Sequence, residues 1–283
     1  MQNVIIPRPK EFKEKKKKII KEGKEKLHVL SDFDSTLTKG AIKGRRSPSL
    51  IAQLREKDYI SKEYAKKAHE FFNKYRPIEI DPKIPKEKKS KLMHEWWKKH
   101  FNWIIECGLN MNVIRTVVKD MVKNKEIQLR EGVLNFLKTL HKKELPLVIL
   151  SASTGDIIKE FLKKQGCFFE NIYIIANFLK LDKKEEVIGV EEPIIHSMNK
   201  KEIVIKNMPF FEKIKSRTNV ILLGDKIEDL DMTEGENWKT ILKIGFLNEK
   251  IDEMLERYKE NFDVIIINDG SIDFVLKLIK EIK

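Results

Sequence analysis

The chain has 283 residues, of which 41% are hydrophobic and 36% are charged, and its formal net charge is +13. This apolar fraction is sufficient for a packed core and excludes an intrinsically disordered chain, while the length favours a core with a second module or a large insertion. The longest apolar runs, such as residues 264–267, are too short to span a membrane.

The cysteines and the first residues bear on the compartment in which the protein works. Only Cys107 and Cys167 are present, without the paired spacing of a zinc site or a disulfide framework. The N-terminal segment lacks the apolar stretch and cleavage pattern of a secretory signal. We therefore expect a cytoplasmic protein with no membrane partner, and we also expect it to be a monomer.

Much of the positive charge lies at the N-terminus. Residues 1–27 contain ten Lys or Arg and four Glu, which account for +6 of the net charge of +13. Glutamates alternate with the lysines, as in a solvated helix, and Phe12 is the single aromatic residue, so no base-stacking platform is present. We expect residues 1–26 to form a basic helical extension and regard nucleic-acid binding as the weaker hypothesis.

A buried strand is predicted next, and two carboxylates follow it. Leu27, Val29 and Leu30 are apolar, and Asp32 and Asp34 stand where the strand ends. Carboxylates this close repel each other, and burying either one is costly without a cation or a proton nearby. The pattern therefore predicts a positive charge between them.

Residues 41–130 have helical periodicity and predict a helical insertion. The first helix is expected to begin at Ser47 and Pro48, the second to span 86–107 and the third to span 110–124. No strand is predicted within this segment.

From residue 131 onward, helices alternate with continuous apolar strands. The segments predicted as strands are 145–153, 171–177, 218–225, 239–246 and 262–269, and one of the intervening helices is predicted over 198–217. Such alternation is typical of a parallel sheet that is covered on both faces. The predicted fold is therefore α/β, with a doubly wound, Rossmann-like, mainly parallel sheet from residues 27–40 and 131–283 and a helical cap domain inserted at 41–130.

Three of the predicted strands end in polar residues. The first ends at Asp32 and Asp34, another at Ser151, and a third at Asp225. Ligands bind beyond the carboxyl ends of the strands in such sheets, so neighbouring strands would bring these groups into one pocket. Hard oxygen ligands that leave positions open for water and phosphate suit Mg²⁺, which we predict as the cofactor.

The polar segments also carry a family resemblance. "DFDSTLT", "SAS", a lysine in "NKKE" and "GDKIEDLD" resemble the four motifs of the haloacid dehalogenase superfamily of phosphatases. Further segments, among them "YRPIEIDP", "HEWW" and "LREG", resemble the type III cytosolic pyrimidine 5′-nucleotidases over essentially residues 27–280. The resemblance implies a magnesium-dependent 5′-nucleotidase with a cap after the first motif.

The resemblance also implies roles for the carboxylates. Asp32 would be the nucleophile that forms an aspartyl-phosphate, and Asp34 would protonate the leaving 5′-oxygen and then activate water. Asp225 would hold the magnesium ion together with a carboxylate oxygen of Asp32 and the main-chain carbonyl of Asp34. Asp229 would act on the ion from further out or through water.

Four residues are implied as phosphate ligands. Thr36 is either a turn hydroxyl or a phosphate ligand, and Ser151 offers a hydroxyl ahead of backbone N–H groups, beginning at Ala152, that are expected to open a helix. Lys200 matches the lysine of the third motif. Spacing alone does not choose between Lys200 and Lys201, and a solvated lysine is the commoner situation in so lysine-rich a chain.

The cap would select the nucleobase. Glu79 matches the glutamate with which the family recognises the base, and it could hold an exocyclic amine or a cationic methylated base; without the family it would be taken for a solvated loop residue. His100 stands where the family has a serine that contacts substrate. Trp96 and Trp97 could stack on a base, but tryptophan at helical spacing is more often part of the core.

The leading hypothesis is a magnesium-dependent 5′-nucleotidase that hydrolyses nucleoside monophosphates, with CMP or UMP as substrate and 7-methyl-GMP as a further candidate. Ser153, Lys226 and Glu228 depart from the family pattern without removing a catalytic group. One alternative is a small-molecule phosphatase of the phosphoserine type, since "DFDST" also occurs there. Another is a catalytically lapsed basic module that binds nucleic acid, which the net charge favours and the retained aspartates oppose.

Overall fold

A computed structural model describes residues 3–200, 208–235 and 237–283 of the chain. Within these ranges, no helix is both long enough and apolar enough to cross a membrane.

Seven strands form the central sheet. They are β1 Val4–Ile5, β2 Leu27–Ser31, β5 Leu147–Thr154, β6 Ile172–Asn177, β9 Asn219–Gly224, β10 Thr240–Leu247 and β11 Val264–Ile267. Their order across the sheet is β1-β11-β10-β9-β2-β5-β6, and every neighbouring pair is parallel except β1 with β11. The predicted mainly parallel sheet is confirmed.

Helices cover both faces of this sheet. They are α1 Pro9–Glu22, α6 Val133–Lys142, α7 Gly155–Lys164, α8 Phe211–Ile214, α9 Ile251–Asn261 and α10 Asp273–Glu281. Successive side chains of a strand point to opposite faces, so Val29 joins the large core cluster with Phe136 and Phe161, whereas Leu30 joins a second cluster with Ile214. Burial on both faces explains why these strands are continuously apolar.

The N-terminal segment is attached to this core. Strand β1 adds an antiparallel edge to the sheet, and α1 packs on β10 with Phe12 and Ile19 buried. Lys15 of α1 donates to both carboxylate oxygens of the buried Asp263 at 2.8 Å. The predicted basic helix is present, and one of its faces covers the sheet.

Residues 41–130 contain four helices and one small hairpin: β3 Ala41–Ile42, β4 Arg45–Arg46, α2 Gln53–Glu56, α3 Lys62–Ile80, α4 Lys86–Glu106 and α5 Met111–Lys123. The second and third predicted helices correspond to α4 and α5. The expectation of no strand was wrong, because Lys43 and Gly44 both adopt positive φ angles and form the turn that joins β3 to β4.

The predicted helix start at Ser47 and Pro48 was also wrong. The long helix α3 begins after Ser61, whose side chain accepts a hydrogen bond from the Tyr64 backbone N–H at 3.0 Å. The preceding stretch consists mainly of turns and the single short helix α2. At its other end, α3 continues through Pro77 to Ile80 and so includes residues that the sequence placed in a loop.

A second hairpin supports the inserted helices. Strands β7 Leu179–Leu181 and β8 Val187–Val190 pair antiparallel, and β8 packs on α4, while α5 packs on α7 of the core. The helix predicted over 198–217 is formed only over α8 within the described residues. Residues 201–207 of that prediction lie outside them.

Candidate active site

One cavity of about 520 Å³ lies where the carboxyl ends of the central strands meet α2, α3 and α4. Strand β2 lies between β5 and β9, so the three strands predicted to end in polar residues are neighbours. The predicted site residues that line this cavity are Asp32, Asp34, Glu79, His100, Ser151, Ala152, Lys200, Asp225 and Asp229. Of the predicted set, Thr36 alone does not line it.

Asp32 and Lys200 form the buried centre of the site. The Asp32 backbone N–H donates to the Leu223 carbonyl at 3.0 Å, which fixes the residue beside β9. Lys200 donates to a carboxylate oxygen of Asp32 and, at 3.1 Å, to Oδ1 of Asp229. These three residues are each less than one-tenth exposed. Lys200 therefore lies beside two of the predicted carboxylates, whereas Lys201 lies outside the described residues.

Three carboxylates converge beside this ammonium group. Asp32, Asp225 and Asp229 each offer an oxygen, and these oxygens lie within 4.8 Å of one another. Burial raises the pKa of Asp32 against the opposing charge of Lys200, and burial also raises the pKa of Asp225 well above its usual range. A set of hard oxygen donors whose ionisation lacks sufficient counter-charge fits a divalent cation, so this cluster is a candidate cation site.

The position of Asp229 depends on the turn after β9. Its Oδ2 accepts hydrogen bonds from the backbone N–H groups of Asp225 and Lys226, both at 3.0 Å. A Cβ atom on Gly224 would lie 2.6 Å from Cβ of Asp229, so only glycine permits this approach. The local turn thus places both aspartates at the edge of the sheet.

Asp34 lies on the turn after β2. Its Oδ1 accepts a hydrogen bond from the Leu50 backbone N–H at 3.1 Å, which connects the turn to the inserted segment. Burial, together with the adjacent charge of Asp32, raises the pKa of Asp34 to about 7. The group can therefore both donate and accept a proton near neutral pH.

The segment after Ser151 differs from its prediction. Strand β5 continues to Thr154 and α7 begins only at Gly155, so the backbone N–H groups beside Ser151 do not open a helix. Within this strand, Oγ of Ser151 accepts a hydrogen bond from the Ser153 backbone N–H at 3.1 Å. The predicted helix-terminal anion site at Ala152 was therefore wrong, although Ser151 and Ala152 do line the cavity.

Thr36 does not line the cavity. The residue is completely buried, and its hydroxyl has no hydrogen-bond partner among the described residues. Its carbonyl accepts a hydrogen bond from Nε of Arg130 at 2.7 Å. Thr36 therefore contributes to the turn through its carbonyl, whereas its hydroxyl makes no hydrogen bond within the described residues and does not line the cavity.

Glu79 lies in the last turn of α3 and not in a loop. Its carboxylate forms an ion pair with Arg76, and its side chain is 14% exposed. Burial alone would raise the pKa of Glu79, but the charges of Lys226 and Arg76 outweigh it and lower that pKa to about 2. The cavity therefore contains an anionic acceptor on α3 in addition to the carboxylate cluster.

Helix α4 contributes an aromatic wall to the cavity. Trp96, Trp97 and His100 line it, and Trp97 stacks on His100 with ring centroids 5.9 Å apart. Both tryptophans are partly exposed, although tryptophan at helical spacing is more often fully buried in the core. Nε2 of His100 and the Tyr64 hydroxyl are hydrogen bonded at 2.9 Å.

A family model now assigns the chain. The model of the pyrimidine 5′-nucleotidase (UMPH-1) family matches residues 35–283. The chain belongs to the pyrimidine 5′-nucleotidase family. It is therefore a phosphoric monoester hydrolase, and the predicted enzyme class is confirmed.

Individual relatives of this nucleotidase agree with the assignment. The human 7-methylguanosine phosphate-specific 5′-nucleotidase is 36% identical over 280 residues, covering 99% of this chain and 92% of the relative. A crystal structure of cytosolic 5′-nucleotidase IIIB bound to cytidine has a TM-score of 0.90 at 25% identity and covers 99% of this chain and 94% of that chain. A substrate-bound phosphoserine phosphatase, with a TM-score of 0.52 at 20% identity over 90% of this chain and 98% of that chain, shares the fold alone.

Helix α3 supplies further cavity residues that the sequence did not single out. They are His69, Phe72, Asn73 and Arg76, and the guanidinium of Arg55 from α2 lies 4.3 Å from the centre of the Phe72 ring. Their spacing of three or four residues places them on one helical face, and this periodicity is the signal that could have identified them in the nucleotidase sequence.

Proposed function

We propose that this nucleotidase is a magnesium-dependent hydrolase of nucleoside 5′-monophosphates, with CMP, UMP and 7-methyl-GMP as candidate substrates, acting through an aspartyl-phosphate on Asp32. The proposal rests on one observation: the carboxylate cluster and the aromatic wall line the same cavity of about 520 Å³. Such a volume lies within the range of roughly 300–1,000 Å³ typical of small-ligand sites.

The carboxylate cluster would hold the magnesium ion. Asp225 and Asp32 would provide carboxylate oxygens, Asp34 its main-chain carbonyl, and Asp229 would act through water. When bound, the ion would counter the charge of the phosphoryl group and the repulsion among the carboxylates.

Asp32 would attack the phosphorus of the substrate. A carboxylate suits this role because it is ionised near neutral pH and needs no separate base. Burial disfavours the ionised form of Asp32, and the ammonium group of Lys200 opposes that effect. Lys200 would thus keep the nucleophile charged and offset the charge of the phosphate.

Asp34 would exchange a proton in both half-reactions. Its pKa of about 7 leaves both protonation states populated near neutral pH. The protonated form would donate to the leaving 5′-oxygen, and the resulting carboxylate would take a proton from the water that hydrolyses the aspartyl-phosphate.

The phosphate would be bound by the hydroxyl of Ser151, the backbone at Ala152 and the ammonium group of Lys200, all of which line the cavity. Hydrogen-bond donors placed around the transferring group stabilise its charge in the transition state. Thr36 is not included because it does not line the cavity.

The nucleobase would lie beside α3 and α4. Ionised Glu79 would accept a hydrogen bond from an exocyclic amine or face a cationic methylated base, while His100 and the tryptophans would contact the ring. The relatives named for 7-methylguanosine phosphate and the structure bound to cytidine support these candidate bases.

We further infer that residues 41–130 act as a cap on a core of residues 27–40 and 131–283, with 1–26 as an extension. Lys86 of α4 donates to Asp231 at 2.5 Å and so connects the cap to the edge of the core. Two free cysteines and a Caenorhabditis elegans relative named as a putative cytosolic 5′-nucleotidase support a cytoplasmic location. The monomeric state stays a prediction, which sedimentation can test.

A panel of phosphate esters tests the substrate proposal. With Mg²⁺, kcat/KM for CMP, UMP or 7-methyl-GMP should exceed that for phosphoserine and sugar phosphates, because those smaller substrates leave the aromatic wall uncovered. Glu79→Gln should lower kcat/KM for CMP and 7-methyl-GMP by about 10- to 100-fold, as loss of a charge-assisted hydrogen bond predicts.

The matched control is Glu70→Gln, at an exposed position of the same helix, which should leave these values unchanged. If phosphoserine exceeds every nucleotide, the substrate proposal is wrong and the phosphoserine-type alternative gains support.

A further inference from the structure

Arg130 lies where the chain returns from the cap to the core. It is 1% exposed, and it is among the largest fully buried side chains of the described residues. At this point the outgoing and returning segments run side by side: the Arg130 backbone N–H donates to the Leu37 carbonyl, and that of Lys39 donates to the Gln128 carbonyl, both at 2.9 Å.

The guanidinium of Arg130 holds the loop that follows the Asp32–Asp34 turn. Nε donates to the carbonyl of Thr36 at 2.7 Å, and Nη2 donates to the carbonyl of Ser35 at 2.5 Å. Of the consecutive residues Asp34, Ser35 and Thr36, the first two line the cavity, and Arg130 fixes the carbonyls of the last two.

The remaining N–H groups of Arg130 reach two other loops at the same edge of the sheet. Nη2 also donates to Oδ1 of Asn248 at 3.1 Å, after β10, and Nη1 donates to the Gly270 carbonyl and lies near Oδ1 of Asp269, both at 2.9 Å, after β11. All five N–H groups of a guanidinium are engaged in this way. The Phe246 ring covers the group, with its centre 4.4 Å from Cζ.

The partners of Arg130 hold the same loop independently. Nδ2 of Asn248 donates to the Ser35 carbonyl at 2.9 Å, and Oδ1 of Asp269 accepts a hydrogen bond from the Gly40 backbone N–H at 2.8 Å. A Cβ atom on Gly40 would lie 2.7 Å from Asn248, so the contact requires glycine. The loop from Ser35 to Gly40 is therefore fixed at both ends.

We propose that Arg130 is a positioning residue for phosphoryl transfer, which locks the loop of residues 35–40 to the β10 and β11 loops and thereby sets the orientation of Asp34. This inference rests on the role proposed for Asp34. A fully buried guanidinium is costly unless every donor is paired, and a merely apolar contact would fill the same space at lower cost. The planar fork is what allows one side chain to bind acceptor oxygens in three separate loops.

The test compares Arg130→Lys with Arg217→Lys. Arg217 is a matched control because its side chain also donates to three backbone carbonyls, those of Lys24 at 2.5 Å, Leu27 at 2.9 Å and Lys213 at 3.1 Å, but at the opposite end of β2. Lysine keeps the charge but offers its donors from a single nitrogen, so Arg130→Lys cannot hold all the loops.

For Arg130→Lys, kcat for CMP should fall by about 10²-fold, because a small displacement of a catalytic group costs that much, with KM changed by less than about threefold. Amide hydrogen exchange over residues 33–46 should accelerate. Arg217→Lys should leave kcat and this exchange unchanged. Asp269→Asn, which retains an acceptor for Gly40, should give a loss of kcat between those of the two lysine variants.

Unchanged exchange over residues 33–46 in Arg130→Lys, or an equal loss of kcat in Arg217→Lys, would overturn the inference. The exchange measurement needs no turnover, so it decides the role of Arg130 in holding the loop even if the protein hydrolyses no nucleotide. A wild-type protein that hydrolyses no nucleotide would instead contradict the proposed function.

Discussion

Lys200 bridges two carboxylates that belong to different strands of the sheet. Its ammonium group contacts Asp32, after β2, and Asp229, after β9, and all three residues are buried. The three carboxylates of the cluster outnumber the two ammonium groups near them, those of Lys200 and Lys226. This imbalance adds to burial, which is the main cause of the raised pKa of Asp225. A site with this imbalance binds added positive charge favourably.

His100 makes the stability of the nucleotidase depend on pH. Burial, aided by the charge of Arg55, lowers the pKa of His100 from 6.5 to about 3. Below pH 6.5, His100 is therefore protonated in the unfolded chain but remains neutral in the folded chain. Acidification consequently destabilises the folded state. Relative to His100→Gln, the free energy of unfolding of the wild type should fall by about 2 kcal/mol between about pH 7 and about pH 5.

Urea denaturation at the two pH values measures this difference. Gln can keep a polar contact with the Tyr64 hydroxyl, so the comparison isolates the effect of protonating His100. If the difference between the two proteins is the same at both pH values, His100 titrates normally and the prediction fails.

At the scale of helices, local signals predicted some boundaries and not others. Helix α4 begins after Pro85 and ends before Gly108, and both signals are local, so its bounds could be predicted. The start of α3 could not, because Ser47 and Ser61 offer similar capping signals. The outcome depends on contacts formed only in the folded protein, such as the Ile51 backbone N–H donating to Oγ of Ser153 at 3.2 Å.

The Ser61 cap should contribute measurably to stability. Its side chain accepts a hydrogen bond from the Tyr64 backbone N–H, which otherwise lacks a partner within the helix. Ser61→Ala should lower the free energy of unfolding by about 1 kcal/mol.

The control is Ser90→Ala, inside α4, which should be neutral or slightly stabilising because alanine has the higher helix propensity. Denaturation that gives the same change for both variants would show that the cap contributes nothing.

At the scale of the whole molecule, the sequence predicts the strand ends that carry the carboxylates better than the loops and helices around them. The ends of β2, β5 and β9 could be predicted to converge, because parallel strands place their carboxyl ends at one edge. The role of Arg130 could not, since its partners are mainly backbone carbonyls whose positions depend on loops far apart in the chain. Arg55 was missed for a related reason, because the cavity that it lines forms only where α2, α3 and α4 meet the carboxyl ends of the strands.

The proposed function depends on phosphoryl transfer to Asp32, beside a cluster of carboxylates from separate strands. The most direct test quenches the nucleotidase in acid during turnover of CMP and maps the phosphorylated residue by tandem mass spectrometry. We expect a phosphoryl group on Asp32 that requires Mg²⁺ and is absent in Asp32→Asn, which should also be inactive. An enzyme that turns over CMP while Asp32 stays unmodified, or that remains active as Asp32→Asn, would contradict it.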